Sequence, residues 1–76
     1  MKKVQYAIEG SRFVRLPTVL QFTGLRRTQL FEAIRRGEFP RAVKLTPGGR
    51  AIGWLEEELL VWRDARIAAR DQDAKA

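Results

Sequence analysis

Apolar positions in this chain recur at helical spacing, then alternate, then return to helical spacing. Leu16, Val19 and Leu20 lie one turn apart and give a first helix its buried edge. Pro17 suits the opening turn of that helix, where its missing N–H is not needed. Gly24 then reverses the chain, and Leu25 is placed to plug the angle between two helices. A second helix is predicted over Arg26–Arg36, with Gly37 as its left-handed stop. At about 100° per residue, Ala33 and Ile34 fall beside Leu30 on the inner side. Thr28, Glu32, Arg35 and Arg36 fall opposite, with Gln29 and Phe31 on the flanks.

Alternation takes over after Glu38, Phe39 and Pro40. Ala42 and Lys44 share one face of an extended run, Val43 and Leu45 the other. Thr46-Pro47-Gly48-Gly49-Arg50 is a strong turn signal, and Ala51–Trp54 is a return strand, so residues 41–54 form a β-hairpin with an Arg-bearing tip. Upstream, Arg12–Arg15 alternates weakly, as a short strand does. A last helix is expected from about Trp54-Leu55, with Leu55, Leu59 and Trp62 as its stripe and Leu60 and Ile67 widening it. Glu56, Glu57 and Glu58 near its start and Arg63, Arg66 and Arg70 near its end suit the helix dipole. The chain thus divides into a basic arm over 1–11, one folded domain over 12–70, and a tail over 71–76 that frays for want of apolar anchors.

Two short helices meeting at Thr23-Gly24-Leu25, the second opening on paired arginines, have the form of a helix-turn-helix. The fold class expected is mainly α with a small β-hairpin, a winged helix-turn-helix.

Charge sharpens this picture. The 76 residues carry a net charge of +6. Lys2, Lys3, Arg12 and Arg15 against Glu9 give the first fifteen residues +3. Residues 26–50 hold +5, and residues 51–76 hold −2. The positive field therefore lies over the helix-turn-helix and the hairpin, which matches a phosphate backbone. A charge that merely maintains solubility is the bland alternative.

The composition also excludes chemistry. There is no cysteine and no histidine, which removes disulfides, thiolate nucleophiles, the usual zinc ligands and His-based acid–base catalysis. No nucleophile–base pair, nucleotide loop or metal spacing is present, so neither an enzyme nor a cofactor is expected. Gly48-Gly49 lacks a Walker context and is a turn. Three consecutive glutamates point to different sides of a helix and cannot converge. No apolar run approaches bilayer length, and Met1–Tyr6 lacks a signal-peptide stretch, so a cytoplasmic location is the default. So small a core gives only a few kcal/mol, to which oligomerisation or ligand binding adds.

The ordered set Leu16-Pro17, Thr23-Gly24-Leu25, Ile34–Gly37, Phe39-Pro40, Val43–Leu45 and Gly53-Trp54 resembles the AlpA-type regulators of phages and prophages, which are similar to excisionases and to the DNA-binding part of MerR-type activators. The resemblance spans about residues 12–63. It implies a winged helix-turn-helix acting in transcription control or site-specific recombination on a mobile element, with an integrase as a candidate partner. The family usually carries Ser after Gly-Leu, capping the second helix; here Arg26 stands there, and losing such a cap costs about 1 kcal/mol. Where the family often has Tyr, this chain has Phe31.

Candidate DNA-binding residues follow. Arg26 and Arg27 oppose the helix dipole, which favours contact with phosphate or with guanine O6 and N7. Thr28 reaches base or phosphate, and Gln29 can pair with adenine. Glu32 either accepts from cytosine N4 or holds Arg35 or Arg36 at helical spacing. Arg35 and Arg36 serve either the phosphate backbone or the helix C-terminus. Phe31 is divided between packing and a thymine methyl. On the hairpin, Arg50 follows two glycines and can enter the minor groove or meet a phosphate, while Arg41 and Lys44 are either phosphate contacts or charges protecting a sheet edge. Trp54 and Trp62 are core residues by their spacing, not stacking platforms.

The partner expected is double-stranded DNA, with no membrane and no small-molecule substrate. The apolar side of the last helix is a candidate self-association surface. A different class stays open, a protein-interaction module (an antirepressor or an inhibitor of an acidic host protein) using the same basic surface.

Overall fold

In a computed structural model that describes residues 12–75, the described residues form six elements in the order β1, α1, α2, β2, β3, α3. The expected basic arm over residues 1–11 lies outside the described residues. β1 is Phe13–Val14, the short strand expected there, and α1 is Leu16–Thr23 with Pro17 in its first turn. α1 stops at Gly24, whose φ of 76° is left-handed and whose N–H donates to the Leu20 carbonyl at 2.8 Å. The Thr23 hydroxyl accepts the Leu25 N–H at 3.1 Å, which fixes the direction of the turn. Leu25 is partly buried against the core.

α2 is Arg27–Arg35, with Arg26 and Arg36 as its flanking cap residues. Its end is a Schellman motif: the Glu38 N–H donates to the Ala33 carbonyl at 2.8 Å, and the Gly37 N–H to that of Ile34 at 3.0 Å. Gly37 takes the left-handed conformation, φ 77°, that this motif needs.

The sheet has the order β1-β3-β2 and is antiparallel throughout. β2 is Val43–Lys44 and β3 is Ile52–Leu55. Phe13 faces Leu55 and Val14 faces Trp54; Val43 faces Gly53 and Lys44 faces Ile52. Gly53 packs closely in the central strand: an added Cβ would meet the Leu45 side chain and the Val14 carbonyl, each at 3.3 Å.

Trp54 and Leu55 therefore belong to β3, which corrects the expected start of the last helix. Their backbone groups are taken by β1, so α3 begins at Glu56, whose N–H donates to the Arg12 carbonyl at 2.9 Å. Leu55 accordingly leaves the helical stripe. α3 also runs on through Lys75, past the expected limit at residue 70. No Gly or Pro interrupts it, and most of its last residues are good helix formers.

One side chain from each main element meets at the centre: Val19 of α1, Leu30 of α2, Trp54 of β3 and Leu59 of α3, with Phe39 from the connecting loop. The Phe39 ring meets Trp62 edge-on at 5.0 Å and Trp54 at 6.4 Å. Both tryptophans thus work in packing. Phe39 thus anchors the connector between α2 and β2 in the core, and Phe31 of α2 lies 6.4 Å from Trp54 of β3. On the hairpin, Ala42 packs toward the core, while Val43 and Lys44 are exposed. No helix is long and apolar enough to cross a membrane among the described residues.

Candidate nucleic-acid interface

The start of α2 is built without the usual hydroxyl cap. Arg26 has the extended backbone of a cap residue, φ −81° and ψ 160°, but a guanidinium has no acceptor to offer the helix. Gln29 supplies half of the missing device: its Oε1 accepts the Arg26 N–H at 2.9 Å. This gives Gln29 a place different from the one expected. Its carbonyl is occupied within the protein, and bidentate pairing with adenine needs that oxygen released. The first turn of α2 has no N-cap side-chain hydrogen bond and opens on the exposed Arg26 and Arg27, an arrangement that favours anions.

Arg26, Arg27, Thr28 and Gln29 are all exposed. Phe31 is half-packed, 37% exposed with its ring 6.4 Å from Trp54, so one edge serves the core and the other is open. Glu32 holds both arginines that follow it, Arg35 through Oε1 and Arg36 through Oε2 at 3.2 Å. The hydrogen bond from Arg35 is the main reason the Glu32 carboxyl lies below the usual carboxylate range. Both guanidiniums remain open to solvent.

Across the hairpin, Arg41, Lys44 and Arg50 are exposed. None of them, nor Arg26 or Arg27, has a carboxylate partner among the described residues. Two further exposed cations share this lack of a partner, Arg15 at the start of α1 and Arg66 on α3, which the sequence showed only as part of the positive field and as a helix-end charge. Arg66 lines a cleft of about 530 Å³ between α2 and α3 together with Gln29, Glu32 and Arg36. Helical spacing within one element gives no sign of such a neighbour.

Arg12, counted in the positive field, is not free. Its Nε and Nη2 donate to the two oxygens of Glu56 at 3.2 and 3.1 Å. That hydrogen bonding lowers the Glu56 carboxyl below its ordinary value and raises the Arg12 guanidinium. The pair ties β1 to the first residue of α3.

A second surface has the opposite sign. Glu38, Glu57 and Glu58 rim a groove of about 450 Å³ whose apolar lining includes Phe39, Pro40 and Val61. Phosphate is repelled there. The acidic groove adjoins the cleft between α2 and α3, with Glu38 and Trp62 lining both.

The match to known proteins agrees with this architecture. The family model described as prophage CP4-57 regulatory protein (AlpA) matches residues 12–67, from the residue before β1 to the middle of α3. The chain belongs to the AlpA family. A relative described as uncharacterized protein ORF88, from Enterobacteria phage P4, is 44% identical over 63 residues, which cover 83% of this chain and 69% of the relative. No solved structure matches. The family description is that of a phage regulator, and the three helices with their small sheet are the winged helix-turn-helix expected from the sequence. In this AlpA-family chain the match contains every residue of α2 and of the hairpin, while the last turns of α3 lie beyond it.

Proposed function

We propose that this AlpA-family protein is a sequence-specific double-stranded DNA-binding regulator of a phage or mobile element, acting in the cytoplasm on a promoter or as an excisionase-like factor in recombination. The observation that carries this reading is the exposed start of α2. Arg26, Arg27 and Thr28 project there without an acidic partner among the described residues, beside a hairpin whose cations are equally unpaired.

In this reading α2 enters the major groove by its N-terminal turn. Arg27 and Thr28 reach base edges, and Arg26 holds phosphate. Arg50 contacts phosphate or the minor groove, with Arg41 and Lys44 on the backbone beside it. Phe31 offers its open edge to a thymine methyl. Gln29 chiefly holds the helix start. One such module buries only about 600–1,000 Å². Useful affinity therefore calls for repeated sites or self-association, for which α3 offers Leu60, Val61 and Ile67, each at least 36% exposed. An integrase is the candidate protein partner.

The test is a titration against random duplex and the upstream region of its own gene at several salt concentrations. Log affinity should fall linearly with log salt, by about 0.9 per phosphate engaged. Arg27→Ala or Thr28→Ala should flatten site preference, whereas Arg50→Ala should weaken all duplexes alike. Equal binding of both duplexes at moderate salt would overturn the specific reading. Absence of duplex binding, with capture of an acidic protein, would return the protein-interaction reading.

A further inference from the structure

The cations of α2 fall into two groups. Arg26 and Arg27 have no carboxylate partner among the described residues, whereas Arg35 and Arg36 share one, Glu32. Glu32 lies one turn before them, and its two oxygens divide between the two guanidiniums. The charged groups around it are those two arginines on its own helix, Arg66 on α3 and Glu38 in the loop, both of which line the same cleft. Glu32 is 36% exposed, and Arg35 and Arg36 are 70% and 62% exposed, so phosphate can reach both guanidiniums without unfolding anything. Exposed pairs at this spacing are weak. A close, well-placed phosphate can displace the carboxylate, and a distant or misregistered one cannot.

We infer that Glu32 is a positioning residue that holds Arg35 and Arg36 away from phosphates until α2 is seated in its specific site, and so limits sequence-independent binding. Glu32 does this through the two arginines and not by reading a base. The inference rests on the DNA-binding reading and deepens it. In a loose complex, contact falls to Arg26, Arg27 and the hairpin. When α2 is fully inserted, phosphates replace the carboxylate, and Arg35 and Arg36 join the interface. The difference between the two complexes widens, which is discrimination by restraint of the weaker one.

The experiment compares wild type, E32Q, R35Q/R36Q and the triple variant against random duplex and against the upstream region of its gene. Thermal unfolding of each first confirms that it is folded. For E32Q on random duplex, the slope of log affinity against log salt should steepen by about 0.9 for each arginine released, at most about 1.8. Affinity for random duplex at low salt should rise about two- to fivefold, the scale of a weak exposed ion pair. Affinity for the specific region should rise less, so discrimination narrows. In the R35Q/R36Q background, adding E32Q should leave the slope unchanged, since no guanidinium remains to be released.

Equal steepening with and without the two arginines would overturn the inference, because it assigns Glu32 a direct repulsion of DNA. An unchanged slope in E32Q would overturn it as well. A loss of affinity confined to duplexes carrying one particular cytosine would replace it with base reading by Glu32. Should wild type fail to bind any duplex at low salt, the DNA-binding reading itself falls; an unaltered wild type beside a silent E32Q removes only the restraint.

Discussion

The indole N–H of Trp54 donates to the carbonyl of Pro40 at 2.9 Å, joining the middle strand of the sheet to the loop that leaves α2. Trp54 is fully buried, so this carbonyl has its partner inside the protein. Trp54→Phe removes the donor and leaves a void where part of the buried indole was. Pro40 is half-buried, so losing this bond costs about 1 kcal/mol, and the void left in the core adds to it. For a domain of this size each kcal/mol lowers the melting temperature by roughly 4–8 °C. Thermal unfolding of the variant checks this, and an unchanged melting temperature would show that water satisfies Pro40 equally well.

Acid should loosen the fold through Glu56. The hydrogen bond from Arg12 lowers the Glu56 carboxyl in the folded protein, and no such bond exists in the unfolded chain. A lowered folded value means that the stabilisation is present above the unfolded value, about 4.3, and is lost as pH falls through the folded one. Arg12→Gln should therefore melt below wild type at neutral pH, and the two curves should converge at the acid end of a pH series. Glu32 contributes with the same sign through Arg35 but is unchanged in this variant, so the difference isolates the Arg12–Glu56 pair. A gap that stays constant down to the lowest pH would assign the effect to packing instead.

Much of the helix-turn-helix was legible because its signals are local. Gly24 and Gly37 mark left-handed stops, and the spacing of Leu30, Ala33 and Ile34 fixes the inner side of α2 without knowledge of any partner. What escaped depends on contacts distant in sequence. Arg12 finds Glu56 across 44 positions. Trp54-Leu55 suits a strand end or a helix start equally until β1 pairs with it. Gln29 looked outward by helical angle, but its long side chain folds back to a neighbouring N–H, a choice that helical angle does not encode. The shared grip of Glu32 on two arginines was visible as a spacing, though not which arginine it would take.

Gly37 should tolerate substitution poorly despite open space around it. Nothing lies within 4 Å of an added Cβ, so the penalty is conformational and not steric crowding by neighbours. At φ 77° an L side chain costs about 1–2 kcal/mol. Gly37→Ala should lower the urea midpoint accordingly, and Gly37→Asn by less, since Asn visits this region more readily. Equal losses for both would point to a rearranged Schellman turn.

Arg26→Ser separates stability from function at a single atom group. Serine at this position can accept an N–H of the first turn of α2, which Arg26 cannot, and it removes a positive charge from the positive end of the helix dipole. The fold should gain about 0.5–2 kcal/mol, read as a higher urea midpoint with an unchanged denaturant slope. If Arg26 holds a phosphate, the same change should lower the salt slope of duplex binding by about 0.9 and weaken all sequences alike. A more stable protein that binds DNA less well would mean that this chain gives up a helix cap for a phosphate contact. A higher midpoint with no change in the salt slope would release Arg26 from the interface and leave Arg27 as the cation that opens α2 toward DNA.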